Sequence, residues 1–282
     1  MSAETLAEWL RCPVCTEPLG AISASVLGCV NGHRHDINKR GYATLLGPRS
    51  HVVGDTGPML DARARVLERG TYTPIVEALD ATLGRASGTS RVVDAGAGTG
   101  YYLRSLLASR PGARGLAMDL SPAAVARAVR NAGNVDGLVA DTWRPLPIRD
   151  GIADVILNVF APRNLPEFHR TLALRGLLVV VVPRADHLHE LREAGRMLDV
   201  PADKAATLIE STRSLFTFES TTEVVFDLAY DTALMESLVA MGPSAHHAQA
   251  AAVATLNDTS PRVQATHSTV TAAVNILAFS PR

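Results

Sequence analysis

"VVDAGAGTGYYLRSL", residues 92–106, places an apolar run before an acidic residue, then three alternating glycines, then a segment of helical periodicity. A strand ending at Asp94, a turn through Gly96, Gly98 and Gly100 and a helix from Tyr101 to Arg110 account for that order. Glycine permits the sharp turn and lets a ligand lie against backbone that a side chain would block. The G-x-G-x-G spacing is not decisive alone, because dinucleotide sites use a similar turn. A pyrophosphate site usually takes the longer G-x-G-x-x-G, so the neighbouring segments decide.

Downstream, strand and helix signals alternate. A strand "RGLAMDLS" (114–121) leads to a helix over 122–132 and a short strand "VDGLVAD" (135–141). A strand "IADVILNVF" (152–160) is followed by a helix over 164–174 and the apolar run "GLLVVVVP" (176–183). Alternation at this spacing predicts a mostly parallel sheet covered on both faces. Upstream, "PMLDARARVLERG" predicts a helix over 57–70 with Met59, Leu60, Ala64 and Leu67 inward. "YTPIVEALDATLG" predicts another, with Ile75, Val76, Leu79 and Leu83 inward. The Ala-rich stretch 245–256 reads as a helix, and the chain after about 200 is otherwise uninformative.

Three carboxylates fall at three successive strand ends. Asp94 can accept from a ligand amine, Asp119 from both hydroxyls of a ribose, and Asp141 stands where an adenine amino group needs an acceptor. With the glycine turn at the first strand, this set describes a site for S-adenosylmethionine.

The amino-terminal chemistry is different. All three cysteines lie within the first 29 residues, spaced Cys12-x2-Cys15 and, after a loop, Cys29-x3-His33. A two-residue gap in a tight turn brings both thiolates to about 2.3 Å from one ion, and a second turn supplies the other half of a tetrahedron. Pro13, Pro18, Gly28 and Gly32 supply those turns. A disulfide framework cannot use three cysteines evenly. His35 could replace His33 as fourth ligand, but Asn31-Gly32-His33 reads as a turn presenting its imidazole. Four protein ligands leave no position for water, so one structural zinc is expected, and its loss should unfold this module while the larger domain stays folded. "RGYATLLGPRSHVVGDTG" (40–57) reads as a connector.

The 282 residues are 47% hydrophobic and 20% charged, with a net charge of −1, enough apolar material for one large core and a small satellite. No apolar run approaches the roughly 18 residues that span a bilayer and no export signal is seen, so no membrane association and a cytoplasmic location are expected. A basic stretch over 34–70 beside the zinc module points to a polyanion, although solvated helix charge is the simpler reading.

The motifs over 91–183 resemble those of the class I methyltransferases. The implied fold class is α/β, a Rossmann-like, mostly parallel doubly wound sheet, with a small zinc-binding module. The domains would be 1–48, RNA-orienting, and 49–282, S-adenosylmethionine-dependent. "LNVFAPRN" (157–164) lacks the Asn/Asp-Pro-Pro-aromatic run used on exocyclic amines. No cysteine follows Cys29 to serve as a covalent nucleophile on pyrimidine C5.

Taken with "HDINKRGYATLL" and "GDTGPMLDARARVLERGTYTPI", the zinc motif and "VVDAGAGTGYYL" closely resemble the bacterial 23S ribosomal RNA guanine-N1 methyltransferases, including the branch that confers resistance to tylosin and related macrolides. The resemblance implies methylation of a guanine in the hairpin 35 loop and a possible homodimer. It implies cofactor contacts at Tyr72, Gly98, Thr99 and His187, with Phe160-Ala161-Pro162 as the aromatic-Ala-Pro segment. Asp141, Asn158 and Phe160 are the candidate catalytic residues near the transferred methyl, with Asp141 or a polar residue of 158–164 as a general base, and Phe160 or Trp143 could stack on an extruded base. A small-molecule methyltransferase, or a non-catalytic zinc RNA-binding protein, would explain only one of the two motifs.

Overall fold

The computed structural model describes residues 2–47, 54–84, 90–197, 199, 201, 203–229, 231–242 and 269–282. The chain begins with helix α1 (Ala3–Trp9), capped by reciprocal Ser2 and Thr5 hydrogen bonds, and a small antiparallel sheet of β1 (Gly20–Ser23), β2 (Val26–Gly28) and β3 (Arg34–Asp36). Then come β4 (Tyr42–Thr44), α2 (Gly57–Glu68), α3 (Thr73–Leu83), β5 (Arg91–Ala95), α4 (Tyr101–Ala108), β6 (Arg114–Asp119), α5 (Pro122–Ala128) and β7 (Val135–Val139). The remainder is β8 (Ala153–Val159), α6 (Leu165–Thr171), β9 (Leu172–Pro183), α7 (His189–Glu193), α8 (Lys204–Thr212), β10 (Phe216–Ala229), α9 (Thr232–Ala240) and β11 (Thr269–Pro281).

The eight-stranded sheet runs β10-β11-β9-β8-β5-β6-β7-β4. Its six strands from β9 to β4 are parallel, and β11 and β10 extend it antiparallel. Adjacent residues of each buried strand divide between two cores, as the period of two requires. Val92, Val155 and Val179 face the side covered by α3, α4, α5 and α9, whereas Val93, Ile156 and Val180 face the other. That second core also holds Leu6, Trp9, Leu10, Cys12, Leu19 and Leu27, so α1 and the cysteine-bearing segment cover one face of the main sheet.

Four expectations need adjustment. Within the expected connector 40–57, Tyr42–Thr44 is a strand, paired parallel with Gly137–Val139 of β7. On α2, Ala62 and Val66 are buried while Ala64 is only half-buried. Helix α5 stops at Ala128, and α6 stops at Thr171 because the chain enters β9 at Leu172. The region after 200 supplies the long β10–β11 pair. The stretch 245–256 lies outside the described residues.

Candidate functional site

Two turns build the metal site. Thr16 donates its backbone N–H to the Cys12 carbonyl (2.9 Å) from a left-handed conformation, and Gly32 does the same to Cys29 (3.0 Å) at φ +81°. One ligand atom from each of Cys12, Cys15, Cys29 and His33 lies within 4.8 Å of the other three. Cys15 Sγ is 3.6 Å from Cys29 Sγ, which is 3.4 Å from His33 Nδ1. A tetrahedron with Zn–S near 2.3 Å has edges of about 3.6–3.8 Å, so these residues fit zinc. His35 Nε2 approaches Cys12 Sγ at 3.6 Å from beside the group.

This segment is fastened to the main sheet by polar contacts as well as by packing. Buried Asp136 on β7 accepts from Thr5 Oγ1 (2.7 Å), Trp9 Nε1 (3.0 Å) and Arg114 Nη2 (2.9 Å). Arg149 donates to the carbonyls of Leu10 (3.0 Å) and Leu19 (2.6 Å), and Arg11 pairs with Asp150 (3.1 Å). The segment 146–150 that follows Asp141 is therefore held by the cysteine-bearing module.

The second site lies at the carboxyl ends of β5, β6 and β7. Gly96, Gly98 and Gly100 all have positive φ, and the N–H groups of Gly96 and Ala97 donate to Met118 O (2.8 and 2.9 Å), closing the loop onto β6. At Gly100 a Cβ would stand 2.6 Å from Ala128 Cβ on α5, and at Gly96 it would collide with Ala161. Only glycine lets the loop pass between α5 and the 160–164 segment.

Asp94 is 1% exposed and its Oδ1 has no hydrogen-bond partner. Burial, with Asp119 close by, pushes its carboxyl up to about 7. Asp119 accepts from Gly98 N (2.9 Å) and Ser121 N (2.8 Å), leaving lone pairs on both oxygens, and burial raises its carboxyl as well. Asp141 is buried at the end of β7 and accepts from Trp143 N (3.0 Å). An orphaned buried carboxylate oxygen, a glycine-rich turn and two further strand-end carboxylates fit an S-adenosylmethionine pocket; Thr99 sits half-buried within the turn.

Tyr72, His187 and Phe160 form one aromatic group. The His187 ring stacks on Phe160 (centroids 5.9 Å, interplanar angle 27°) and tilts against Tyr72 at 6.5 Å. Its Nδ1 accepts from Ala273 N on β11 (3.1 Å), which leaves Nε2 to carry the proton, and burial holds its pKa down at about 4. Phe160 is 41% exposed at φ +52°, a conformation that costs a non-glycine residue about 1–3 kcal/mol. Asn158 is fully buried; its amide donates to Ala95 O (2.9 Å) and Pro162 O (2.8 Å), pinning that segment to β5. Trp143, the other stacking candidate, is 61% exposed on the loop after Asp141.

Sequence reasoning missed three contributors. Arg63, paired with Asp55, lies across the glycine turn, its Nη1 2.9 Å from where a Gly98 Cβ would stand. Phe226 on β10 packs edge-on against Tyr72 (6.1 Å), and β11 supplies the N–H that fixes the His187 tautomer. Helix periodicity showed Arg63 to be on a helix, but nothing local pointed it at the turn.

Residues 92–184 match the family described as "Methyltransferase domain", and residues 10–50 match the zinc-ribbon family described as "RlmA, N-terminal". The chain is 41% identical to the 23S rRNA (guanine(748)-N(1))-methyltransferase of Streptomyces fradiae, over 86% of this chain and 88% of that one. It is 40% identical to a putative 23S rRNA (guanine-N(1)-)-methyltransferase of Micromonospora griseorubida, over 96% and 97%. Among solved structures, the complex of the Haloferax volcanii Trm112 activator with a putative methyltransferase matches at TM-score 0.50 and 19% identity, covering 79% of this chain and 96% of that one, a likeness of fold.

Proposed function

From the premise that the chain belongs to the 23S rRNA guanine-N1 methyltransferases and works with S-adenosylmethionine and one structural zinc, we propose that its target is a guanine in the hairpin 35 loop and assign its site residues as follows. The observation that carries the site assignment is the set Asp94, Asp119 and Asp141 at adjacent parallel strand ends around the glycine turn.

When bound, S-adenosylmethionine supplies an electrophilic methyl on a sulfonium. Asp119 would take the ribose hydroxyls, and Asp141 would accept from the adenine amino group. Gly96, Gly98, Thr99 and Gly100 offer backbone at close range. Asp94, whose Oδ1 is buried without a partner, and Tyr72 would hold the amino-acid end, the carboxylate accepting from the ammonium. His187 stays neutral and donates through Nε2. A loop guanine extrudes more readily than a paired one, and Phe160, exposed and braced on His187, is the surface on which it stacks. Asn158 acts as a positioning residue, since both hydrogens of its amide hold the backbone that carries Phe160. Methyl transfer would break the sulfonium S–CH3 bond, leave a neutral thioether and release the N1 proton to water, and alignment of the base would supply much of the rate.

Zinc holds the amino-terminal ribbon, where Arg34, Lys39 and Arg40 are placed for phosphate contacts that orient RNA. No described helix is long and apolar enough to cross a membrane. A cytoplasmic location and a homodimer belong to this proposal, the latter read by sedimentation. Incubation with labelled cofactor and either total RNA or a metabolite extract tests the reading: label should enter 23S RNA, and label in a small molecule instead would overturn it.

A further inference from the structure

A ring of contacts closes around the glycine turn. Asp119 accepts from Gly98 N (2.9 Å) and Ser121 N (2.8 Å), and Ser121 Oγ donates to the backbone carbonyl of Asp55 (2.9 Å). The Asp55 carboxylate pairs with Arg63, and the Arg63 guanidinium returns to the turn, its Nη1 2.9 Å from where a Gly98 Cβ would stand. Gly54 lets the chain pass close to Ser121, since a Cβ there would lie 3.0 Å from Ser121 N. The segment before α2 is thereby tied to the chain leaving β6, and α2 carries Arg63 over Gly98.

Arg63 is held in place without being saturated. Nη1 donates to Asp55 and Nη2 to Met241 O just past α9 (3.1 Å), so among the described residues two of its N–H donors are used and the rest of the guanidinium is free to donate. The side chain is 27% exposed, which leaves it open to a ligand lying on the turn. The amino-acid end of the cofactor brings an ammonium and a carboxylate, and these need opposite partners. Asp94 suits the ammonium, but it and Asp119 would repel a carboxylate. Arg63 is the cation that lies against the turn, and the fork of a guanidinium matches a carboxylate in a way that a single N–H does not. A long side chain ordered beforehand by Asp55 and Met241 O also loses less freedom when the ligand arrives.

We propose that Arg63 binds the carboxylate at the amino-acid end of the cofactor, and that Asp55 is the positioning residue that holds its guanidinium over Gly98. The inference rests on the cofactor site assigned above and adds to it a pair that lies outside the strand ends.

The test is calorimetric and uses the intact protein at pH 8, where Asp94 is ionised. S-adenosylhomocysteine carries the carboxylate, and its decarboxylated analogue, S-adenosyl-3-thiopropylamine, keeps the ammonium and loses the carboxylate. The unaltered protein should bind the first at least roughly tenfold more tightly, as a charge-assisted pair requires. Arg63→Gln should erase that preference by weakening S-adenosylhomocysteine alone, and Arg63→Lys should recover part of it. Asp55→Asn should reduce the preference, and combined with Arg63→Gln it should weaken binding no further, because Asp55 acts through Arg63. Equal affinity of the unaltered protein for the two ligands overturns the assignment without any variant, and so does equal weakening of both ligands by Arg63→Gln. Losses from Asp55→Asn that add to those from Arg63→Gln overturn the positioning role. Asp119→Ala separates failure of this pair from failure of the site. If it weakens both ligands while Arg63→Gln weakens neither, the carboxylate assignment falls and the site stands; if neither variant changes either affinity, the cofactor lies elsewhere and both fall.

Discussion

Asp94 shows how a single residue can be poised for a ligand at the expense of the empty fold. Its carboxyl is buried, has an oxygen without a partner, and is pushed up to about 7, above the ordinary carboxylate range. A folded-state value above the unfolded one means that the folded chain binds the proton more tightly. Stability therefore falls as pH rises from about 4 to 7, and the deficit is fully present above 7. Asp94→Asn should consequently raise the melting temperature of the cofactor-free protein at pH 8, as read by calorimetry. A cationic amine favours the ionised carboxylate, so binding of S-adenosylmethionine should release a proton, and affinity should climb as pH rises through about 7. In Asp94→Asn the affinity should be weaker and flat over pH 6–8. His187, held at about 4, remains neutral across that window, and because burial raises Asp119 as well, the inflection is assigned to Asp94 by its loss in Asp94→Asn. At the ribose, Asp119→Ala removes a charged acceptor and should cost about 1.5–3 kcal/mol of cofactor binding, and unchanged affinity would mean the ribose lies elsewhere.

At the scale of elements, the part of the fold that was legible is the part whose signals are local. The glycine turn, the strand ends at Asp94, Asp119 and Asp141, and the four zinc-ligand positions each sit within a short window of sequence. Where pairing is distant, no local signal exists. Tyr42–Thr44 is a strand because β7 lies beside it, and β10 and β11 stabilise each other across the length of chain that separates them. The role of Arg63 likewise depends on where α2 packs, not on its helical period. The same distance argument changes the expectation for zinc. Sequence suggested a satellite that could unfold alone, yet Leu10, Cys12, Leu19 and Leu27 share a core with Val93, Leu116 and Ile156, and Asp136 joins α1 to β7. Calorimetry should therefore show one cooperative transition, and Cys29→Ser should lose zinc and shift the whole transition downward. Two separate transitions, the larger unmoved, would restore the independent module. Because Arg11 and Arg149 hold segment 146–150 just beyond Asp141, the same variant should also weaken cofactor binding.

At the scale of the whole molecule, the proposed function has the ribbon and the cofactor pocket serve one substrate, and the product tests their cooperation. A methyl on guanine N1 replaces the proton that pairs with cytosine, so reverse transcriptase copying the modified RNA should halt one nucleotide before it. Expression in a host that lacks the modification should create one new stop in the hairpin 35 loop of 23S RNA. That stop should vanish with Asp94→Asn, which weakens cofactor binding, and with Cys12→Ser, which removes the metal that organises the ribbon. The same cells should tolerate tylosin better if the methyl intrudes on the drug, a gain read as the inhibitory concentration with and without the enzyme. A stop elsewhere in the RNA would keep the chemistry and refute the hairpin. Methyl incorporation without any stop would move the target to an atom that does not block pairing and refute guanine N1.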